Sequence, residues 1–160
     1  MIVVTKALAP FVPSRLEVVT RMLSITCVGA NDVVVDLGCG DGRVMFSAIL
    51  DFSARKAIGY EMKRDLCMKV SREIVKKNLQ DRAILMNCDL MDADLSEATV
   101  ITLYLTTSGN ERLKPKLLKE TRIGTRIVSH DFEMKGWYPS IKENFRGHIL
   151  YLYVVPEAFP

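Results

Sequence analysis

The segment Val33 to Val44, VVVDLGCGDGRV, leaves the chain few folds to choose from. An apolar run ends on Asp36, and the backbone then turns through Gly38, Gly40 and Gly42 into a second apolar-patterned stretch. Glycines at alternate positions remove the Cβ atoms that would hold the backbone off a ligand, and they permit the tight strand-to-helix reversal of an α/β crevice. The segment therefore reads as a nucleotide-binding turn.

The spacing narrows the choice of nucleotide. A dinucleotide fingerprint places its third glycine at the sixth position, where this chain has Arg43. A phosphate-binding loop needs a lysine followed by Ser or Thr after its last glycine, and Arg43-Val44 supplies neither. Asp36, just ahead of the glycines, would repel a pyrophosphate and attract an ammonium group. That favours S-adenosyl-L-methionine, which carries an α-amino group and a sulfonium. Glu61, closing the next apolar run roughly twenty residues after the turn, stands where an acid on the ribose hydroxyls belongs. Asp89, after the third run, could accept from the adenine amino group. Together with the turn residues, the expected cofactor-binding set is Asp36, Gly38, Cys39, Gly40, Glu61, Asp89 and Leu90.

With 160 residues the chain should form a single domain, 1–160, with a proper core. Its net charge of +3, from 22 basic and 19 acidic residues, describes a mixed surface rather than the concentrated basic field of a nucleic-acid binder, so no nucleic-acid partner is expected. Four scattered cysteines without a CxxC pair, and two histidines, predict no metal site and a reducing, cytoplasmic setting. The opening MIVVTKALAP is too short in apolar length for a signal peptide, and no run approaches the ~20 apolar residues of a membrane span.

Strands and helices alternate along the chain. Ser14-Arg15-Leu16-Glu17 has the form of a capping box, predicting a helix to about Ile25 beside the crevice. Strands are expected at 33–37, 57–60, 83–86, 98–105 and 125–129, with helices at 42–50, 64–78 and 110–120. The 42–50 helix should bury Val44, Phe46, Ile49 and Leu50, and the basic residues of 64–78 should form a solvated face. Pro115 implies a kink or a late start for the 110–120 helix. Residues 147–155 alternate as a last antiparallel strand. The pattern implies a doubly wound, mostly parallel α/β sheet with its ligand at the carboxyl ends of the strands.

For the acceptor, the Asn/Asp-Pro-Pro-aromatic signature of many base-methylating enzymes is missing after the fourth strand, where the chain has Leu103-Tyr104-Leu105-Thr106-Thr107. Methyl transfer from a sulfonium requires alignment and exclusion of water rather than a metal. Tyr104 at the strand tip and Asn110 at the start of the next helix are the candidate catalytic residues; the plainer readings are a core aromatic and a helix N-cap. Trp137 is a candidate lid, or a plug under the last hairpin. A His130-Asp131 dyad is disfavoured, because adjacent residues leaving a strand point in opposite directions.

The segments PFVPSRLEVVTRML, VVVDLGCGDGRV, SEATVITLYLTTSGNERLKPKLLKE and GTRIVSHDFEMKGW resemble the small archaeal protein lysine methyltransferases of the seven-strand class. These are similar in turn to the mitochondrial enzymes that modify the ATP synthase c subunit and the adenine nucleotide translocase. The resemblance implies a seven-stranded sheet and a monomeric, broad-specificity enzyme that uses S-adenosyl-L-methionine to methylate lysine side chains of proteins. It also implies that Phe11, Val12 and Pro13 fold over the site; with Trp137, they make up the expected substrate channel. Asp89-Leu90 stands where relatives carry an Asn-Phe type pair, and Ser108 replaces an Asn.

Overall fold

A computed structural model describes residues 10–160; the opening segment read for a signal sequence lies outside them but for Pro10. The run that anchors the sequence forms β1 (Val33–Leu37), all five residues buried, as expected of a central parallel strand covered on both faces. Beside it lie β2 (Lys56–Glu61) and β3 (Ala83–Asn87) on one side, and β4 (Val100–Leu103) and β5 (Arg126–His130) on the other, all parallel. The last two strands, β6 (Ile141–Phe145) and β7 (His148–Val154), complete a seven-stranded sheet in the order β3-β2-β1-β4-β5-β7-β6, with β7 antiparallel to both neighbours. The strand order reverses between β1 and β4, the point at which doubly wound sheets open a crevice for a ligand.

The helices α1 (Leu16–Ile25), α2 (Arg43–Leu50) and α3 (Arg64–Lys76) cover one face, and α4 (Thr107–Glu120) lies on the other. Val19 and Leu23 of α1 meet Val34 and Val100 of the sheet, while Val70 and Ile74 of α3 meet Ala57 and Ala83. On the α4 face, Leu113 and Leu117 pack on Leu103, Ile101 and Ile127. Among the described residues no helix is long and apolar enough to cross a membrane.

Several expectations change at element ends. The helix after Pro13 starts at Leu16 with Arg15 as N-cap, so no capping box forms: Ser14 binds His130 instead, and Glu17 pairs with Arg146. The fourth strand is shorter than 98–105, and β6 forms a strand of its own from residues whose exposed, polar character hid it. Helix α4 starts three residues before Asn110, because the Thr106 hydroxyl accepts from the Gly109 amide and caps it. It then runs through Pro115 to Glu120. In α2 the buried stripe is Val44, Met45, Ala48 and Ile49, whereas Leu50 is exposed, because the helix is wedged between α1, β2 and α3 and turns its Met45 side toward β2.

Gly59, in the middle of β2, makes that close approach possible. A Cβ there would stand 2.3 Å from Met45 Sδ and 2.6 Å from Cys39 Sγ. The glycine thus fixes how tightly α2 and the turn before it sit on the sheet.

Candidate active site

The turn after β1 is built as its glycines predict. Gly38, Gly40 and Gly42 have φ of 84°, 55° and 81°, a left-handed region that side chains strain to enter. The amides of Gly38 and Cys39 both donate to the Tyr60 carbonyl, pinning the turn against the end of β2. Gly40 N–H donates to Glu61 Oε2 at 3.0 Å, and Lys63 N–H donates to Glu61 Oε1 at 3.0 Å. Glu61 therefore joins the glycine turn to the start of α3 and keeps lone pairs on both oxygens for a ligand.

These elements frame an open crevice of about 750 Å3, its mouth included. It is lined by Asp36, Gly38, Cys39, Gly40, Glu61 and Leu90, and by Tyr104 and Leu105 from the end of β4, with Leu105 packed close to Gly38. Phe11, Val12, Pro13 and Ser14 pass across it as a strap. Phe11 lies so close over Gly40 that a Cβ on the glycine would stand 2.4 Å from its ring. The strap is held at Ser14: its carbonyl accepts from Arg43 Nη1 at 2.8 Å, and its hydroxyl shares a 2.8 Å hydrogen bond with His130 Nδ1.

Asp36 is buried, and burial pushes its carboxyl up to about 7, against the 2.7 Å hydrogen bond that Thr102 donates to Oδ1. The nearby acids Glu61 and Asp41 raise it further. No cationic side chain among the described residues bonds to it. A buried carboxyl at the floor of a crevice, without a positive partner, is the complement of an ammonium-bearing ligand. Burial also pushes the Cys39 thiol up, so this side chain is a packing group of the turn.

The sequence-based set is partly redistributed. Asp89 is not on the crevice wall: its Oδ1 accepts from Met91 N–H at 2.9 Å and caps the 3-10 turn Leu90–Asp92, which leaves Leu90 as the wall residue. Met62 and Lys63 line the crevice and were not foreseen, since nothing marks the first residues past a strand as ligand-facing. Asn110 is fully buried within α4 rather than facing the crevice. Its Nδ2 donates to the Phe132 carbonyl at 3.0 Å, tying α4 to the loop after β5. Trp137 is a plug and not a channel residue, packed edge-on against Tyr153 and Phe159 beneath the last hairpin.

Tyr104 does stand on the crevice wall, and its ring stacks on His130 at a centroid distance of 3.8 Å. His130 and Asp131 do not diverge as strand alternation predicts. Asp131 takes φ 64°, with Phe132 N–H bonded back to the His130 carbonyl, and this tight turn brings its carboxylate round to within 3.4 Å of His130 Nε2. His148, the other histidine, meets the same point from β7.

A seven-stranded sheet with β7 reversed, a glycine turn after β1 and an acid at the end of β2 define a methyltransferase of the class I type, and the comparisons with known proteins agree. The family model described as the ANTKMT methyltransferase domain matches residues 36–141, and the chain belongs to this family. A protein-lysine N-methyltransferase of Saccharolobus islandicus is 43% identical over 92% of this chain and 94% of its own length. The adenine nucleotide translocase lysine N-methyltransferase of Mus musculus is 28% identical over 81% of this chain, which spans 56% of that longer protein. A solved structure described as an RNA methyltransferase from Salinibacter ruber, in complex with S-adenosyl-L-homocysteine, is 39% identical with a TM-score of 0.89, over 93% of this chain and 97% of that one.

Proposed function

We propose that this methyltransferase uses S-adenosyl-L-methionine to methylate lysine side chains of proteins, over a broad range of substrates. The observation that carries the reading is the placement of Asp36, the glycine turn and Glu61 on one crevice that Tyr104 also lines. When bound, the sulfonium supplies a methyl group already activated for displacement by an amine. Asp36 would face the ammonium of the cofactor, the turn would admit its main chain at close range, and Glu61 would accept from the ribose hydroxyls. Leu90 and Met62 offer apolar contact for the adenine. Tyr104 and the Phe11–Pro13 strap line the same crevice and would flank an aliphatic side chain entering it, limiting water around the amine.

The 43% relative supports protein lysine as the acceptor, and the open mouth suits a side chain presented by a large substrate. The open crevice that the described residues form supports a broad range. A monomer acting in the cytoplasm on proteins, without nucleic-acid or membrane partners, is the setting we infer. The described residues show basic side chains of α3 spread in solvent among acidic ones rather than a single field. RNA is the second reading, favoured by the description of the Salinibacter ruber protein.

Incubation with methyl-labelled cofactor and a methyl-poor cell extract, split between nuclease and protease, separates the two. Label that survives nuclease and is recovered as methyl-lysine is expected. Label lost to nuclease would transfer the enzyme to RNA.

A further inference from the structure

Behind Tyr104, three side chains form a hydrogen-bonded line that begins at a crevice residue, and the Asp131 carboxylate stands beside its outer two members. Ser14 lines the crevice and its Oγ is 2.8 Å from His130 Nδ1; His130 Nε2 is 2.8 Å from His148 Nδ1, and Asp131 Oδ2 lies 3.3 Å from that His148 nitrogen and 3.4 Å from His130 Nε2. His130 is 1% exposed, whereas the His148 side chain is 27% exposed. The line therefore starts at the crevice, crosses the protein through one buried imidazole, and ends at solvent. We propose that Ser14, His130 and His148 are a proton relay that carries the proton of the incoming lysine ammonium from the crevice to water, with Asp131 stabilising the charge at the outer end. This rests on the lysine reading above.

A lysine amine attacks a methyl group only after losing a proton, and its unperturbed pKa of about 10.4 leaves it protonated at neutral pH. In the relay the Nζ–H bond breaks as Ser14 Oγ takes that proton. The Ser14 hydroxyl proton passes to His130 Nδ1, the His130 Nε2 proton passes to His148 Nδ1, and His148 sheds its outer Nε2 proton to water. One proton has left the amine, one has reached solvent, and no covalent bond beyond these N–H and O–H bonds has changed. After the methylated product leaves, the imidazoles regain their starting tautomers by the reverse hops: His148 Nε2 takes one proton from solvent and Ser14 Oγ releases one to water in the crevice.

Each surrounding group fits the task. Burial pushes His130 down to about 4, with Asp131 opposing and His148 adding to the effect, so the inner imidazole is neutral and does not trap the proton. The Tyr104 ring covers its face and fixes its plane. Asp131 is held by Ile149 N–H on Oδ1 at 3.0 Å, which leaves Oδ2 for the imidazolium that forms on His148. Ser14, Tyr104, Asp131 and His148 are the titratable or hydroxyl groups that face His130 among the described residues. The same three atoms of His130, Asp131 and His148 resemble a metal-ligand set. However, two nitrogens 2.8 Å apart stand closer than two ligands each held ~2.0–2.1 Å from a tetrahedral ion, which favours a shared proton.

The test is the pH dependence of kcat for lysine methylation in the full chain and in His148→Gln, a partly exposed position, with Ser14→Ala as a second variant and melting temperature as the check on folding. At pH 7 each variant should lose about 10²-fold in kcat, the low end for positioned proton transfer, with KM for the protein substrate unchanged. The deficit should close as pH rises toward 10, where the amine arrives already neutral. A loss of the same factor at every pH would overturn the relay and make the line structural, as would no loss. Activity abolished by a chelator and restored by Zn2+ would overturn it in favour of an ion. Methyl-lysine absent from the wild-type reaction would instead overturn the lysine reading itself.

Discussion

The two halves of the sheet build their parts of the site by different means. On the β1–β2 side, Asp36, the glycine turn and Glu61 sit at or just past strand ends, where the local order of apolar run and acid places them. From β4 to β7, the contributors come from four distant places: Ser14 before α1, Tyr104 after β4, His130 at the end of β5 and His148 at the start of β7. In the function we propose, the cofactor side would be built from residues placed by local sequence order, whereas the acceptor side would be assembled by tertiary packing. The first kind is legible in sequence, and the second is mostly not.

The sharpest way to separate the halves is to remove the crevice's anion. Asp36→Ala should cost about 10²-fold or more in cofactor affinity, the price of a lost partner to a buried charge, while melting stays close to wild type. Calorimetry with S-adenosyl-L-homocysteine reads this directly, and unchanged affinity would remove Asp36 from the cofactor side.

Trp137→Ala inverts that result. Emptying the space between Tyr153 and Phe159 should cost about 3–5 kcal/mol of stability, read by denaturant unfolding, with little change in cofactor affinity of the folded fraction. A large affinity loss without a stability loss would return Trp137 to the substrate channel.

Gly59→Ala probes the tightness of the cofactor side. The added Cβ meets Met45 and Cys39, so a loss of about 1–3 kcal/mol is expected from overpacking, together with weaker cofactor binding as the turn shifts. Stability unaffected by the alanine would show that α2 has slack.

The smallest effect is in pH. Because burial holds the Asp36 carboxyl near 7 in the free protein, acidification protonates it and removes the charge that an ammonium needs. Cofactor affinity should therefore fall steadily as pH drops from 8 to 6, and the fall should vanish in Asp36→Asn. His130, pushed down instead of up, acts on stability with the opposite proton preference: its unfolded form binds protons more readily, so its contribution is lost as pH falls from about 6.5 toward 4.

The same division explains what could be read in advance. The glycine turn, Asp36, Glu61, the parallel strands and the reversed terminal strand all follow from periodicity and spacing. Ser14 matched a capping box because residue types at short range are all that such a motif contains; the competing partner, His130, is 116 residues away. Asp131 defeated the alternation argument because one residue with positive φ cancels the rule that neighbouring side chains diverge. Asn110 reads as a helix start because it is a good cap residue, whereas Thr106 supplies the cap and puts Asn110 one turn into the helix. Asp89 reads as a ligand from its position after β3, whereas in the structure its Oδ1 caps the following turn through the Met91 amide and Leu90 lines the crevice.

The measurement that tests the account most directly is a paired one: calorimetric affinity for S-adenosyl-L-homocysteine and rate of methyl transfer to protein lysine, each in wild type, Asp36→Ala and Tyr104→Ala. Asp36→Ala is expected to lose cofactor affinity, whereas Tyr104→Ala is expected to retain it and lose transfer. Retained affinity in Asp36→Ala, or loss of affinity in Tyr104→Ala with transfer per bound cofactor intact, would contradict the division of the site into a cofactor half and an acceptor half.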